Sequence, residues 1–251
     1  MLLSAVTKIS FGVDSSSMPV RPQTSVIIAV KNGEQFVQSA VDSVLSQLET
    51  ADELLVVDDG STDATRSRLP QADKRLRLLT GAGLGPSAAR NIGLAAAQGD
   101  FIAMLDHDDL WPAGRHRALR DLLVTNPQFD AAAGWIDVQV EPGGTLAHCE
   151  AFQGRHGPSL PWSCLYRRQL IEQVGGFDES LRYGEDSDYH ARLCEAGMRL
   201  GLSPACSLIY RRHAGNATNR MPDHGNRALA LVRRRFDRRP PRPDAAPKSV
   251  N

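Results

Sequence analysis

Short apolar runs alternate with amphipathic stretches along the first half of the chain. The run Ser25–Val30 has the length of a strand and stops at Lys31. Apolar residues then recur at helical spacing from Phe36 to Leu48. The same pattern predicts further strands over Glu53–Val57, Leu76–Leu79 and Phe101–Leu105, a helix over Ser87–Ala97, and a short helix capped by Ser61 or Thr62. This alternation predicts an α/β fold with a mostly parallel central sheet and helices on both faces.

The pattern changes after about Asn126 and becomes mixed. Two strand-like runs, Ala131–Val138 and Thr145–His148, flank a turn-forming segment at residues 141–144 and predict a hairpin. Helices are expected over Arg168–Val174 and Ser187–Ala196, each ended by glycine. We therefore predict a disordered leader over 1–22, one domain over 23–238 and a disordered tail over 239–251. Within the domain, we expect residues 23–125 to form a nucleotide-type half and residues 126–238 to form a mixed region that completes a cleft.

Composition narrows the classes of partner. Of the 251 residues 41% are hydrophobic, which suffices for a substantial core, and the formal net charge of zero gives no reason to expect nucleic acid. Residues 211–251 nevertheless carry ten arginines, one lysine and three aspartates, a net charge of +8. The four cysteines lack CxxC spacing and are expected to be free thiols in a reducing, cytoplasmic compartment. No apolar run approaches the length of about 20 residues that a membrane helix needs.

The basic end of the chain leaves two interpretations open. Apolar residues from Ala228 to Val232 precede Arg233, Arg234 and Arg235, and two more arginines follow at Arg238 and Arg239. One interpretation is a final helix packed on the domain with solvated arginines. The other is peripheral contact with anionic lipid on the inner face of the membrane.

An acidic cluster follows the fourth predicted strand and is the most informative feature of the chain. Asp106, Asp108 and Asp109 come directly after the apolar run, at the carboxyl end of a buried strand. Ligands of open α/β sheets bind outside these strand ends. Crowded carboxylates repel one another unless protons or a cation compensate, so the cluster predicts a hard divalent metal with a phosphate-bearing ligand. The structural alternative is a charged loop that caps the next helix.

Each remaining motif has a structural explanation when it is taken alone. Asp58 and Asp59 suit a turn, but together with Val30 they are also placed to line one edge of the crevice. Acids such as Glu185 and Asp186 belong in the first turn of a helix. His213 follows a strand-like run, where a lone histidine is more often structural. The segment Gly81–Pro86 resembles a dinucleotide-binding loop but lacks the third glycine, which favours a flexible connection before a helix.

Taken together, the motifs resemble the inverting family 2 glycosyltransferases with a GT-A fold. The resemblance spans about Ser25 to Thr218. It rests on the first strand and helix, Asp-Asp-Gly-Ser-Thr-Asp at 58–63, Ala89-Arg90-Asn91, Leu-Asp-His-Asp-Asp at 105–109, Gly-Gly-Phe-Asp-Glu at 175–179, Gly184-Glu185-Asp186 and His213.

The resemblance implies a role for each matching residue. Asp59 would contact the nucleobase, with Arg90 near it. Asp106 and Asp108 would form the DxD element that holds the ribose and a divalent metal, Mn²⁺ or Mg²⁺, and Asp109 is a further candidate ligand. Asp186 would be the catalytic base, with Glu185 as the alternative. His213 would complete the metal or diphosphate site.

The activity implied is metal-dependent, inverting transfer of a sugar from a nucleotide-diphosphate sugar to a hydroxyl acceptor. A UDP-sugar is the favoured donor, and the acceptor is a saccharide or a lipid-linked molecule in cell-surface polysaccharide or glycolipid synthesis. The chain lacks a QxxRW segment, which implies a single addition. The alternatives are a non-catalytic nucleotide-sugar-binding module and a nucleotidyltransferase, although residues 31–36 do not supply the glycine-rich, basic loop of the latter. Acceptor-side candidates are Trp162, Phe177, Tyr183 and His156, each equally compatible with a core or loop position.

Overall fold

The structure is a computed structural model that describes residues 22–144, 154–157, 161–181, 183–216 and 219. Several predicted segments lie outside these residues. They are residues 1–21 of the leader predicted over 1–22, the strand Thr145–His148, the basic segment around Arg233 and the tail over 239–251.

Fifteen elements follow one another in the described residues. The strands are β1 (Thr24–Val30), β2 (Glu53–Asp58), β3 (Leu76–Thr80), β4 (Phe101–Asp106), β5 (Ala131–Val140), β6 (Gly154–His156), β7 (Cys164–Arg167) and β8 (Leu200–Arg212). The helices are α1 (Val37–Leu45), α2 (Pro86–Ala96), α3 (Arg115–Thr125), α4 (Arg168–Val174) and α5 (Glu185–Glu195). Two 3₁₀ turns cover Thr65–Arg68 and Pro161–Ser163.

The eight strands form one sheet in the order β3-β2-β1-β4-β7-β5-β6, with β8 paired to β5. The first four strands are parallel to one another, as the alternation of strands and helices predicts. The second half is mixed, because β7 runs antiparallel between β4 and β5 while β8 runs parallel to β5. The predicted α/β fold with a mostly parallel sheet and a mixed second region is therefore confirmed.

Both faces of the sheet are covered around β1. Successive strand residues point to opposite faces, and Val26, Ile27 and Ile28 are all almost completely buried. Helix α2 lies close to one face at Gly93, where an added Cβ would come within 2.4 Å of Ile27 Cγ2. A glycine is thus required where this helix meets the strand. The close packing fixes the strand ends that form the site.

Local details differ from the sequence-based expectations. The turn at Thr65–Arg68 has no side-chain cap; Ser61 Oγ instead accepts from Asn32 N, and Thr62 N donates to Asn32 Oδ1. Helix α5 begins at Glu185, two residues before the predicted start. The strand-like run before His213 belongs to a 13-residue strand, β8, whose pattern is interrupted by Pro204. None of the helices in the described part of the chain has both the length and the apolar character needed to cross a bilayer.

Candidate active site

A cleft of about 990 Å³ opens at the carboxyl ends of β1, β2 and β4. Parallel strands bring these ends to the same edge of the sheet, so polar residues that are far apart in sequence meet there. The residues of the cleft include eight that the sequence singled out: Val30, Asp59, Arg90, Asp106, Asp108, Glu185, Asp186 and His213. Asp58 and Asp109, two other predicted site residues, are not among them.

Asp58 takes part in the structure of the turn rather than in the cleft. Its carboxylate is completely buried, accepts from Ser61 N at 2.9 Å, and pairs with Arg66 Nε. Burial alone would raise the pKa of Asp58, but the hydrogen bonds from Ser61 and Arg66 hold it below its usual value. The expectation that Asp58 contacts the nucleotide is therefore not supported by its position, and the turn interpretation describes this residue.

Asp59 holds the glycine-rich loop that the sequence marked as a flexible connection. Its Oδ1 accepts from Gly83 N and its Oδ2 from Gly85 N, both at 2.8 Å. Both glycines have positive φ, +76° and +104°, which side-chain-bearing residues rarely adopt. At Gly81 an added Cβ would lie 2.6 Å from Asp59 Oδ1. The loop is thus folded around one carboxylate at the edge of the cleft.

The three acids at the tip of β4 are brought together as the sequence predicts. Carboxylate oxygens of Asp106, Asp108 and Asp109 all lie within 4.8 Å of one another. Asp109 is completely buried; its Oδ1 accepts from Arg211 N at 2.9 Å, and its Oδ2 has no hydrogen-bond partner. Burial and the neighbouring charges of Asp108 and Asp106 raise the pKa of Asp109 well above its usual value. Asp106 and Asp108, by contrast, face the cleft.

Arg90 lies between two acids of the cleft, Asp106 and Glu185. Its Nη2 donates to Asp106 Oδ1 at 2.8 Å and its Nη1 to Glu185 Oε1 at 3.0 Å. Burial would lower the pKa of Arg90, but the charges of Asp106 and Glu185 raise it above its usual value. One guanidinium therefore links the strand that ends in the acidic cluster with the helix that carries Asp186.

His213 is fixed as a hydrogen-bond donor to Asp108. Gly215 N donates to its Nδ1 at 3.1 Å, so a neutral imidazole must carry its proton on Nε2. That Nε2 lies 3.0 Å from Asp108 Oδ2. Burial alone would raise the pKa of Asp108, but the hydrogen bond from His213 keeps it below its usual value. In this tautomer Nε2 has no lone pair for a metal, which favours the diphosphate side of the predicted role.

Asp186 lies in the first turn of α5, and this end of the helix lines the cleft. Gly184 precedes α5 with a φ of +78°, and Glu185 and Asp186 form its first turn. The side chain of Asp186 is half-buried, and its Oδ1 accepts from Ser187 N at 2.7 Å. Of the other acids in this turn, Glu185 pairs with Arg90 and Asp188 pairs with Arg192.

Comparison with known proteins agrees with this geometry. The sequence model of the family described as glycosyl transferase family 2 matches residues 25–179, which make up more than half of the chain. The chain belongs to glycosyl transferase family 2.

Curated relatives of this family 2 chain include ExoO, a succinoglycan biosynthesis protein of Rhizobium meliloti, which is 31% identical over 222 residues, or 78% of this chain and 62% of ExoO. The uncharacterized glycosyltransferase EpsJ of Bacillus subtilis is 28% identical over 78% of this chain and 63% of its own length. The pre-mycofactocin glycosyltransferase of Mycobacterium tuberculosis is 32% identical over 90% of this chain and 51% of its own length. The chain thus spans about half to two thirds of the length of these relatives.

The fold of this family 2 chain is shared with S. aureus TarS. The structure of TarS residues 1–349 in complex with UDP-GlcNAc superposes with a TM-score of 0.65 at 20% identity, over 84% of this chain and 64% of that one. The complex of the same TarS fragment with UDP gives a TM-score of 0.58 at 21% identity, over 75% and 60%. At this level of identity the likeness establishes the fold, which is the GT-A type that the sequence predicts.

Two contributions to the cleft of this family 2 domain escape sequence analysis. Asn216 holds both partners of the histidine pair, since its Oδ1 accepts from His213 N at 2.6 Å and its Nδ2 donates to Asp108 Oδ2 at 3.3 Å. The ring of Phe36 packs against that of His213 in a tilted arrangement, with ring centroids 4.2 Å apart. Neither residue carries a local signal for this role. Asn216 contacts Asp108, and Phe36 contacts His213, and each of these partners lies more than 100 positions away in the sequence.

Proposed function

We propose that this chain transfers a sugar from a nucleotide-diphosphate sugar to an acceptor hydroxyl, with inversion at the anomeric carbon. The observation that supports this most is that one cleft holds the acids of β4, Asp106 and Asp108, together with Asp186 at the start of α5. The first two are suited to a metal-bound diphosphate, and the last to a proton acceptor. A UDP-sugar is the favoured donor, in line with the UDP and UDP-GlcNAc in the TarS complexes.

The cleft divides into a nucleotide side and a diphosphate side. Asp59 and Val30 form the nucleotide side, where the carboxylate that already binds two backbone amides retains lone pairs for a base N–H. Asp106 and Asp108 form the diphosphate side. Their clustered carboxylate oxygens are the hard ligands that Mn²⁺ or Mg²⁺ prefers, so the residues present fit a divalent cation. Such a cation, when bound, offsets the charge that develops on the departing diphosphate.

Asp186 is proposed to accept the proton of the acceptor hydroxyl. Its carboxylate lies in the first turn of α5, where the helix dipole favours negative charge. The acceptor oxygen attacks the anomeric carbon as the bond to the diphosphate breaks, and the proton passes to Asp186. A single displacement of this kind inverts the anomeric centre. Glu185 is less suited to the role because its carboxylate is held by Arg90.

The decisive experiment replaces Asp186 with asparagine in the full chain. Asp186→Asn should retain affinity for UDP, because the amide preserves the shape of the side chain, and should lower the transfer rate by about 10²-fold or more. Glu195→Gln, the same type of change at the far end of α5, serves as the matched control and should leave the rate unchanged. Near-normal turnover by Asp186→Asn would move the base to another residue. Donor binding by the wild type without any transfer would favour the non-catalytic alternative.

The acceptor is proposed to be a saccharide or a lipid-linked molecule of a cell-surface polysaccharide or glycolipid, by analogy with the succinoglycan biosynthesis protein ExoO. A cytoplasmic location with peripheral contact to the inner face of the membrane through the basic residues around Arg233 remains a prediction, since those residues lie outside the described part of the chain.

A further inference from the structure

Trp162 is an aromatic residue of the cleft that the proposed chemistry does not use. It lies in the 3₁₀ turn Pro161–Ser163, lines the cleft, and is only 3% exposed. Arg90 Cζ lies 4.2 Å from the centroid of its ring, within the range of a cation–π contact. At this position the indole covers a face of the guanidinium, while the edge of the guanidinium is free to donate to acids.

The two terminal nitrogens of Arg90 donate to acids on the two sides of the cleft. One terminal nitrogen binds Asp106, on the diphosphate side, and the other binds Glu185, next to the proposed base. A planar guanidinium can satisfy two carboxylates in this way only while its plane is held in one orientation. Two rings restrict that orientation: Trp162, which is the nearer and lies against the face of the group, and Phe177, whose centroid is 5.4 Å from Arg90 Cζ.

Trp162 is itself held by its surroundings. Its carbonyl oxygen accepts from Arg115 Nη2 at 3.4 Å, and its ring packs near Phe177, with centroids 6.1 Å apart. Phe177 is fixed by Asn91, the neighbour of Arg90 on α2, which accepts from Phe177 N at 2.7 Å and donates to Phe177 O at 3.0 Å. Phe177 also stacks on Tyr189 of α5, with centroids 4.0 Å apart. The ring thus belongs to a rigid cluster that contacts the helix of the base.

We propose that Trp162 is a positioning residue for sugar transfer: by fixing the plane of Arg90, it makes one arginine hold Asp106 and Glu185 together, and so sets the place of Asp186 relative to the bound donor. This inference rests on the proposed function. It also assigns Trp162 a different role from the acceptor contact considered from the sequence, since a face of the ring is covered by Arg90.

The test compares two buried tryptophans that each stack on an arginine. Trp111 is also 3% exposed and lies 4.0 Å from Arg115 Cζ, but it is not part of the cleft, so Trp111→Met is the matched control for Trp162→Met. Trp162→Met should lower kcat by about 10-fold or more, because small displacements of a catalytic group are costly, while the KM for the donor changes less than about 3-fold. Trp162→Phe, which keeps an aromatic face, should restore most of kcat. Trp111→Met should lower stability and should lower kcat less than Trp162→Met does, because Arg115 donates to main-chain carbonyls, that of Trp162 among them, and not to an acid of the cleft.

A second measurement does not depend on turnover. Amide hydrogen exchange of a peptide covering residues 184–193 reports on the first turns of α5, and it should become faster in Trp162→Met than in Trp111→Met. Glu185→Gln, which leaves no cavity, should accelerate the same peptide. Unchanged exchange in Trp162→Met and Glu185→Gln, or an equal loss of kcat in both tryptophan variants, would overturn the inference. Faster exchange in a protein that transfers no sugar would support the link to α5 and contradict only the proposed function.

Discussion

Replacing Asp59 with asparagine should weaken nucleotide binding by disordering a loop. The two oxygens of Asp59 accept from Gly83 N and Gly85 N at 2.8 Å, and the residue is 3% exposed. An asparagine has one oxygen and one NH₂ group in the same space. It therefore keeps one of the two hydrogen bonds and places a donor against the other amide. Gly83 and Gly85 then lose the common acceptor that holds the loop at the cleft edge.

The size of the effect follows from the lost hydrogen bond. A hydrogen bond to a charged group contributes about 1.5–3 kcal/mol, and each 1.4 kcal/mol corresponds to a factor of about ten in an equilibrium. The closed loop should thus become about 10- to 100-fold less favoured. If protein with the open loop does not bind UDP, the apparent affinity is proportional to the fraction of protein whose loop is closed. UDP should therefore bind Asp59→Asn more weakly than the wild type, by at most about 10- to 100-fold, the limit reached when the wild-type loop is closed no more than about half of the time.

Titration calorimetry with UDP and Mn²⁺ measures this change directly. Asp58→Asn is the matched control, since the neighbouring carboxylate undergoes the same substitution but binds Ser61 and Arg66 outside the cleft. It should lower the free energy of unfolding and leave the affinity for UDP within about 3-fold. Equal affinity of wild type and Asp59→Asn would refute the reasoning that Asp59 orders a binding loop. A large loss of affinity in Asp58→Asn would return that residue to the nucleotide site.

Three further outcomes are expected. Chelation should weaken UDP binding strongly, and Asp108→Asn should have the same effect without chelator; affinity that is indifferent to EDTA would remove the cation from the proposal. An α-linked donor sugar should give a β-linked product, as read from the anomeric proton by NMR, whereas a retained configuration would exclude a single displacement. Burial would raise the pKa of Asp52, but hydrogen bonds from His116 and from two backbone amides hold this pKa below its ordinary value in the folded protein. The ionised carboxylate therefore stabilises the folded state above pH 3.8, and this contribution is lost as the pH falls through the pKa of the folded state. Asp52→Asn should therefore lower the free energy of unfolding at pH 7 and make its decline towards acid pH shallower, as followed by urea denaturation.

Much of the nucleotide-type half is predictable because its signals are local. A continuous apolar run such as Phe101–Leu105 indicates a strand buried on both faces, and the observed strand is one residue longer, ending at Asp106. Helix α2 is likewise found within one residue of its predicted bounds. The second half is harder, since β5 pairs in the described residues with Gly154–His156, β7 and β8, which are pairings between distant segments. Such register depends on tertiary contacts that no local pattern records.

The site shows the same division between local and distant information. The sequence identifies the acids at the tip of β4, but not that Asp109 turns into the interior while Asp106 and Asp108 face the cleft. The reason is that Asp109 is bound by the backbone of Arg211, more than 100 residues later. The position of Arg90 is also unpredictable from its neighbours, because Glu185 and Trp162 reach it from the other half of the chain.

The charges of the whole cleft explain why a cation belongs to the proposed reaction. Among the described residues, the lining contains one lysine, Lys31, and one arginine, Arg90, against seven acids: Glu34, Asp59, Asp63, Asp106, Asp108, Glu185 and Asp186. Arg90 is already shared by two of these acids, and burial raises the pKa of Asp106. A nucleotide-diphosphate sugar brings further negative charge to the same place. On the proposal made above, a divalent cation bound at the acidic cluster would reduce the repulsion between this lining and the donor, and would offset the charge on the departing diphosphate.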